Sequence, residues 1–114
     1  MDRERRVLAL EVLFENEKLH LDPDLSFSKV CDRLKETETA FRIIVKKMYD
    51  VEFEEWLTEY RIEEAIRHIN EGASINTIHG SCGFKDAATF RKTFEKVTGL
   101  KPSSYLKWPK PAIR

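Results

Sequence analysis

The sequence predicts an all-α protein of about seven helices, built as two helix-turn-helix subdomains joined by a long linker helix. Three observations predict it. Only four Gly and four Pro interrupt 114 residues, so helix-forming sequence runs almost unbroken. One stretch, Glu52 to Glu71, contains neither residue. The same order of helix caps and apolar positions occurs twice, about fifty residues apart.

The elements follow in order. Asp2 is placed to cap a first helix running to about Lys18, with Val7, Leu8, Leu10, Val12 and Phe14 at helical spacing. His20-Leu21-Asp22-Pro23-Asp24 breaks it. Ser26 caps a short second helix with Phe27, Val30 and Leu34 inward, and Thr37 caps a longer one with Phe41, Ile44, Val45 and Met48 inward. The linker helix carries a broad stripe of Phe53, Trp56, Leu57, Tyr60, Ile62, Ala65, Ile66 and Ile69, and Gly72 ends it. Ser74 caps another short helix with Ile75 and Ile78 inward. After Cys82-Gly83-Phe84-Lys85-Asp86 comes a helix with Phe90, Phe94 and Val97, stopped by Gly99. Pro102 starts a last short helix with Tyr105 and Leu106. Segments 1–51, 52–72 and 73–114 are thus first subdomain, linker helix, and second subdomain with tail.

The repeat is the most informative feature. At an offset of 48, Ser26, Phe27, Val30 and Leu34 match Ser74, Ile75, Ile78 and Cys82. At an offset of 49, Phe41, Arg42, Val45, Lys47, Trp56 and Leu57 match Phe90, Arg91, Phe94, Lys96, Tyr105 and Leu106. A connector of roughly 19 residues is about 28 Å long as helix. Successive major-groove faces of B-DNA lie about 34 Å apart, so two projecting helices could enter adjacent grooves.

Composition narrows the function classes. Lys plus Arg and Asp plus Glu number 20 each, a net charge of zero. The charge is unevenly spread: residues 1–25 carry net −3, 26–50 net +2, 51–72 net −5 and 73–114 net +6. Phosphate attraction depends on local Lys and Arg placement, so the neutral total leaves a nucleic-acid surface open. Apolar runs such as Val7 to Leu10 fall far short of the roughly 18 to 20 residues of a membrane span. The charged N-terminus lacks the apolar core of a signal peptide; a cytoplasmic location is expected, without membrane contact by this segment. Cys31 and Cys82 form no zinc or redox spacing, and His20, His68 and His79 are scattered. No catalytic arrangement or Gly-rich phosphate loop stands out. No enzyme activity, cofactor or metal is expected.

Four segments carry a family resemblance: Arg61-Ile62-Glu63-Glu64-Ala65, Ile78-His79-Gly80-Ser81-Cys82-Gly83-Phe84, Phe90-Arg91-Lys92-Thr93-Phe94 and Gly99-Leu100-Lys101-Pro102-Ser103-Ser104-Tyr105. In this order and spacing they resemble the signature of the AraC/XylS transcription regulators, over about residues 26 to 107. The resemblance implies a sequence-specific double-stranded DNA-binding domain with a recognition helix in each unit. It also implies contact with RNA polymerase in the intact regulator. Leu21-Asp22-Pro23-Asp24-Leu25 and Tyr60-Arg61-Ile62-Glu63-Glu64-Ala65 are similar to Bacteroidetes members. In these the module ends a longer, sometimes membrane-anchored chain, so a sensor or dimerisation domain is expected beyond this chain, which would then lie at the cytoplasmic face. Against the family pattern, Ala87 and Ala88 replace polar residues, Ile43 replaces an Arg, and Lys35 and Asp50 replace glycines.

The expected DNA-binding residues are Thr39, Arg42 and Lys46 in the first unit and Lys85, Thr89, Arg91, Lys92, Lys96 and Lys101 in the second. Of these, Lys85, Lys96 and Lys101 would hold phosphates without reading sequence. The caps Ser26, Thr37 and Ser74 leave helix N-terminal amides for phosphate. Trp56, Tyr60 and Phe94 are assigned to core, and Arg61 to a structural ion pair. The competing reading is a degraded helix-turn-helix pair that binds protein, motivated by the neutral charge, Ala87, Ala88 and Ile43.

Overall fold

A computed structural model describes residues 3–107, all helical or turn. The expected cap Asp2 and the tail 108–114 lie outside the described residues, as does the side chain of Leu106. The helices are α1 (Arg3–Glu17), α2 (Phe27–Leu34), α3 (Glu38–Tyr49), α4 (Phe53–Asn70), α5 (Ile78–Ser81), α6 (Ala87–Thr98) and α7 (Pro102–Lys107), with a single 3-10 turn at Leu19–Leu21. The chain divides into two compact units within α4, between Tyr60 and Arg61. The connector is therefore no third body: its N-terminal half serves the first unit and its C-terminal half the second.

In the first unit α1 packs on α2 and α3. The spacing of Val7, Leu10 and Phe14 turns one face of α1 inward, against Phe27, Val30, Cys31, Phe41, Ile44, Val45, Phe53 and Leu57. Leu8 and Val12, apolar positions of the same helix, are exposed. Each sits well round the helix from the Val7–Leu10–Phe14 line at 100° per residue. Met48 is exposed as well, because the α3 stripe ends on half-buried Tyr49. The Tyr49 hydroxyl donates to Glu11, and burial and that bond push its pKa up. Trp56 lies among the rings of Phe14, Tyr49, Phe53 and Tyr60, at centroid distances of 5.0, 5.7, 5.8 and 5.4 Å. His20 is fully buried with its ring 5.0 Å from Tyr60. Arg6–Glu36 and Arg33–Glu17 ion pairs close the rim.

The second unit has its own core of Ile62, Ala65, Ile66, Ile69, Ile78, Cys82, Phe90, Phe94 and Tyr105. Phe94 sits 5.6 Å from both Phe90 and Tyr105. Val97 is exposed, since Phe90 and Phe94 define the buried line of α6. Glu64 is buried and paired with Arg67 one turn along α4.

The tight turns of the two units correspond bond for bond. After α2, the Lys35 amide donates to Asp32 and Glu36 to Cys31; after α5, Gly83 donates to Gly80 and Phe84 to His79. Both are Schellman ends, with Lys35 and Gly83 left-handed at φ 59° and 89°. After α3 the Asp50 amide donates to Lys46, and after α6 Gly99 donates to Glu95, both at 2.8 Å. Asp50 and Gly99 are again left-handed, at φ 60° and 83°. The first unit therefore keeps the turn geometry without the glycines that make it easy.

The helix starts differ. Ser26 and Thr37 accept from the amides of Lys29 and Ala40 at 3.2 and 3.3 Å, as the sequence predicts. Ser74 caps no helix: its hydroxyl accepts from the Asn76 amide, a local turn bond two residues on, and α5 starts only at Ile78. That short-range bond replaces the first turn expected there.

Candidate nucleic-acid interface

The helix after the tight turn in each unit is anchored from below by its apolar line, and its opposite face is outward. On α6 that face holds Ala88, Arg91, Lys92 and Glu95, which with Lys101 line a shallow groove. On α3 it holds Thr39, Arg42, Ile43 and Lys46, which with Glu38, Lys47 and Glu52 line another. At the offset of 49 these faces coincide position by position: Thr39 with Ala88, Arg42 with Arg91, Ile43 with Lys92, Lys46 with Glu95. The 3.6-residue period makes i, i+3, i+4 and i+7 one strip, so each helix presents four adjacent side chains.

The matched arginines are held differently. Arg42 is half-buried; its Nη1 and Nη2 donate to the two carboxylate oxygens of Glu54 at 3.0 and 3.4 Å. Nη1 also donates to Glu52 at 3.5 Å, and the guanidinium carbon lies 4.4 Å over the Phe27 ring. The hydrogen bond from Arg42 holds the Glu54 carboxyl below its usual range. Arg91 is exposed. At the offset of 49 the places of Glu52 and Glu54 are taken by Lys101 and Ser103, so the second unit has no acidic pair there. Its guanidinium fork is available to an external acceptor, while that of Arg42 is engaged within the unit.

Among the other expected site residues, Thr39, Lys46, Thr89, Lys92, Lys96 and Lys101 are exposed. Lys85 is exposed on the turn before α6 and takes part in an interaction within the chain. Ser26 and Thr37 use their oxygens on their own helices, and Ser74 lies at no helix start. Arg61 also has a partner within the chain.

Three features went unread in the sequence. Asp86 caps α6, accepting from the Thr89 amide at 2.7 Å, and that bond holds its carboxyl below the usual range. An Asp directly before Ala87-Ala88-Thr89 is the legible signal. Glu95 lies on the outward strip of α6, where a carboxylate can accept from a cytosine amino group and repels phosphate. The third is the exposure of Ile43, 54% of its surface, which its match to Lys92 foreshadows. Among the described residues no group of His, Cys, Asp and Glu is arranged to hold a metal, and no helix is long and apolar enough to cross a membrane.

A family model described as a helix-turn-helix domain matches residues 30–107. Solved structures share the fold. An AraC-type transcriptional regulator from Chromobacterium violaceum has a TM-score of 0.79 at 16% identity, covering 91% of each chain. The C-terminal domain of AraT, a response regulator from Geobacillus stearothermophilus, has a TM-score of 0.77 at 20% identity, covering 96% of this chain and 87% of its own. The DNA-binding domain of the global transcriptional factor AdpA, solved with a target DNA, has a TM-score of 0.75 at 23% identity, covering 88% and 89%. No curated protein is a significant match to this chain.

Proposed function

Because the chain belongs to the AraC/XylS-type helix-turn-helix domain family, it is a DNA-binding domain of a transcription regulator, not an enzyme, and we propose that α3 and α6 are its two recognition helices. Each enters a major groove with its outward strip toward the base edges, and the two occupy successive grooves of one duplex. The observation that carries this reading is the coincidence of the two outward strips, register for register, on helices that follow the same turn.

The roles follow from the chemistry of the side chains. Arg91 reads guanine O6 and N7 with its fork, and Lys92 and Thr89 contact bases or phosphates beside it. Lys85, Lys96 and Lys101 position the second unit on the phosphate backbone. In the first unit Thr39 and Lys46 form the two ends of the strip, and the first-turn amides of α2 and α3 other than those that Ser26 and Thr37 cap lie toward phosphate. In this reading the intact regulator also has a sensor or dimerisation domain, contacts RNA polymerase and works in the cytoplasm.

The test is selection of a duplex from a random library, followed by affinity at several salt concentrations. An enriched asymmetric motif of about two helical turns is expected. The double substitution Arg91→Ala with Lys92→Ala should weaken binding at least roughly tenfold and relax the motif over one turn. Unchanged affinity for the selected duplex would overturn the placement of α6.

A further inference from the structure

The outward strip of α3 carries a branched aliphatic side chain where that of α6 carries a lysine: Ile43 stands in the register of Lys92 and is 54% exposed. Resting on the reading that α3 enters a major groove, we propose that Ile43 sets the specificity of the first unit by packing on the 5-methyl group of a thymine.

Major-groove chemistry narrows what such a residue can recognise. Guanine, adenine and cytosine present only acceptors and donors there, and a hydrocarbon side chain pressed on them leaves those groups unpaired and dry. Thymine alone adds an apolar projection, its methyl group. Ile43 is β-branched and stiff at χ1 in a helix, so it offers a preformed surface and loses little freedom on contact.

Its neighbours point the same way. Arg42, the adjacent residue able to read guanine, is drawn aside by Glu54, Glu52 and the Phe27 ring. Thr39 lies one turn before Ile43, and Lys46 and Lys47 one turn after, all in the same groove. A protein-docking patch would need contiguous apolar surface. A single aliphatic side chain flanked by a hydroxyl and two ammonium groups, in a groove whose Glu52 is engaged by Arg42 and whose remaining carboxylate is Glu38, instead suits a polyanion with an isolated methyl. Met48 is exposed too, but five residues on it projects about 140° away from Ile43.

The experiment replaces each thymine of the selected duplex, one at a time, by deoxyuridine, which removes only the methyl. The half-site of the first unit is the half whose preference survives Arg91→Ala. At one position in it the loss should be roughly fourfold, the value of one buried methyl. Ile43→Ala should bind thymine and deoxyuridine there equally. Ile43→Val, retaining the branch, should keep part of the difference.

Neutral deoxyuridine at every first-unit position, or a loss that persists unchanged in Ile43→Ala, would overturn the assignment while leaving DNA recognition standing. Failure to select any duplex, with only weak and uniformly salt-sensitive binding, would instead remove the DNA reading itself and the assignment with it. Ile43 is outside the core, so its variants should melt with the parent; a melting midpoint recorded for each separates lost contact from lost fold.

Discussion

Arg42 on α3 and Glu54 on α4 form a two-pronged ion pair, each terminal guanidinium nitrogen donating to its own carboxylate oxygen. The pair withholds a positive charge from the strip that α3 turns outward. Replacing Glu54 and Glu52 together by Gln should release it. Affinity for a selected duplex should then rise several-fold at low salt, and the slope of log affinity against log salt should steepen by about one. Titrations at four salt concentrations measure both, and an unchanged slope would mean that Arg42 already reaches a phosphate in the wild type.

The same pair gives a pH dependence of known sign. Arg42 lowers the folded-state pKa of Glu54, and the Thr89 amide lowers that of Asp86. Their stabilisation is complete above the ordinary carboxyl range, about pH 4, and disappears as pH falls through the depressed folded values. These groups should therefore contribute no slope between pH 5 and pH 7, the upper limits being about a unit above that range. Urea midpoints should drop below about pH 4, and a Glu54→Gln, Asp86→Ala variant should lose less on the same descent. Equal acid losses in parent and variant would contradict this.

Lys35 and Gly99 test the turns from opposite sides. Lys35 holds a left-handed conformation at φ 59°, so Lys35→Gly should stabilise the protein by about 0.5–1 kcal/mol. Gly99, at φ 83°, has open space where a Cβ would stand, so Gly99→Ala suffers backbone strain alone and should cost about 1 kcal/mol. Thermal midpoints moving in opposite directions by several degrees are the expected result.

Burial pushes the thiols of Cys31 and Cys82 up to about 11. Alkylation of the native protein at pH 7.5 should be slower than that of the urea-unfolded chain by about a hundredfold or more, since the thiolate is the reacting species. Mass spectrometry of time points resolves the two sites, and rapid labelling of either would show that its core opens readily.

The apolar lines, the repeat and most helix bounds were legible because a buried face leaves a periodic trace. Val7, Leu10 and Phe14 face inward, as do Phe41, Ile44 and Val45. Periodicity overreached at Met48, and Leu8, Val12 and Val97 are exposed too, since a helix buries a strip narrower than the full set of apolar residues it carries. Ser74 starts no helix because its hydroxyl accepts from the Asn76 amide in a local turn, and α5 begins only at Ile78. The clamp on Arg42 was illegible: nothing in one dimension says that Glu52 and Glu54, across a turn, fold back onto α3. The repeat could have exposed Ile43, because its match Lys92 was already expected to point outward.

Trp56 is the one tryptophan among the described residues, and it sits in a ring of four aromatic neighbours at 5.0 to 5.8 Å. Transition dipoles that close and that fixed couple, so its near-ultraviolet circular dichroism is an optical signature of first-unit packing. Excitation of Tyr49 and Tyr60 drains into the indole by energy transfer. Among the described residues of the second unit Tyr105 is the one comparable chromophore. Trp108 belongs to the second half but lies outside the described residues, so a fluorescence melt becomes a readout of the first half once Trp108 is replaced by Phe, leaving Trp56 as the single indole.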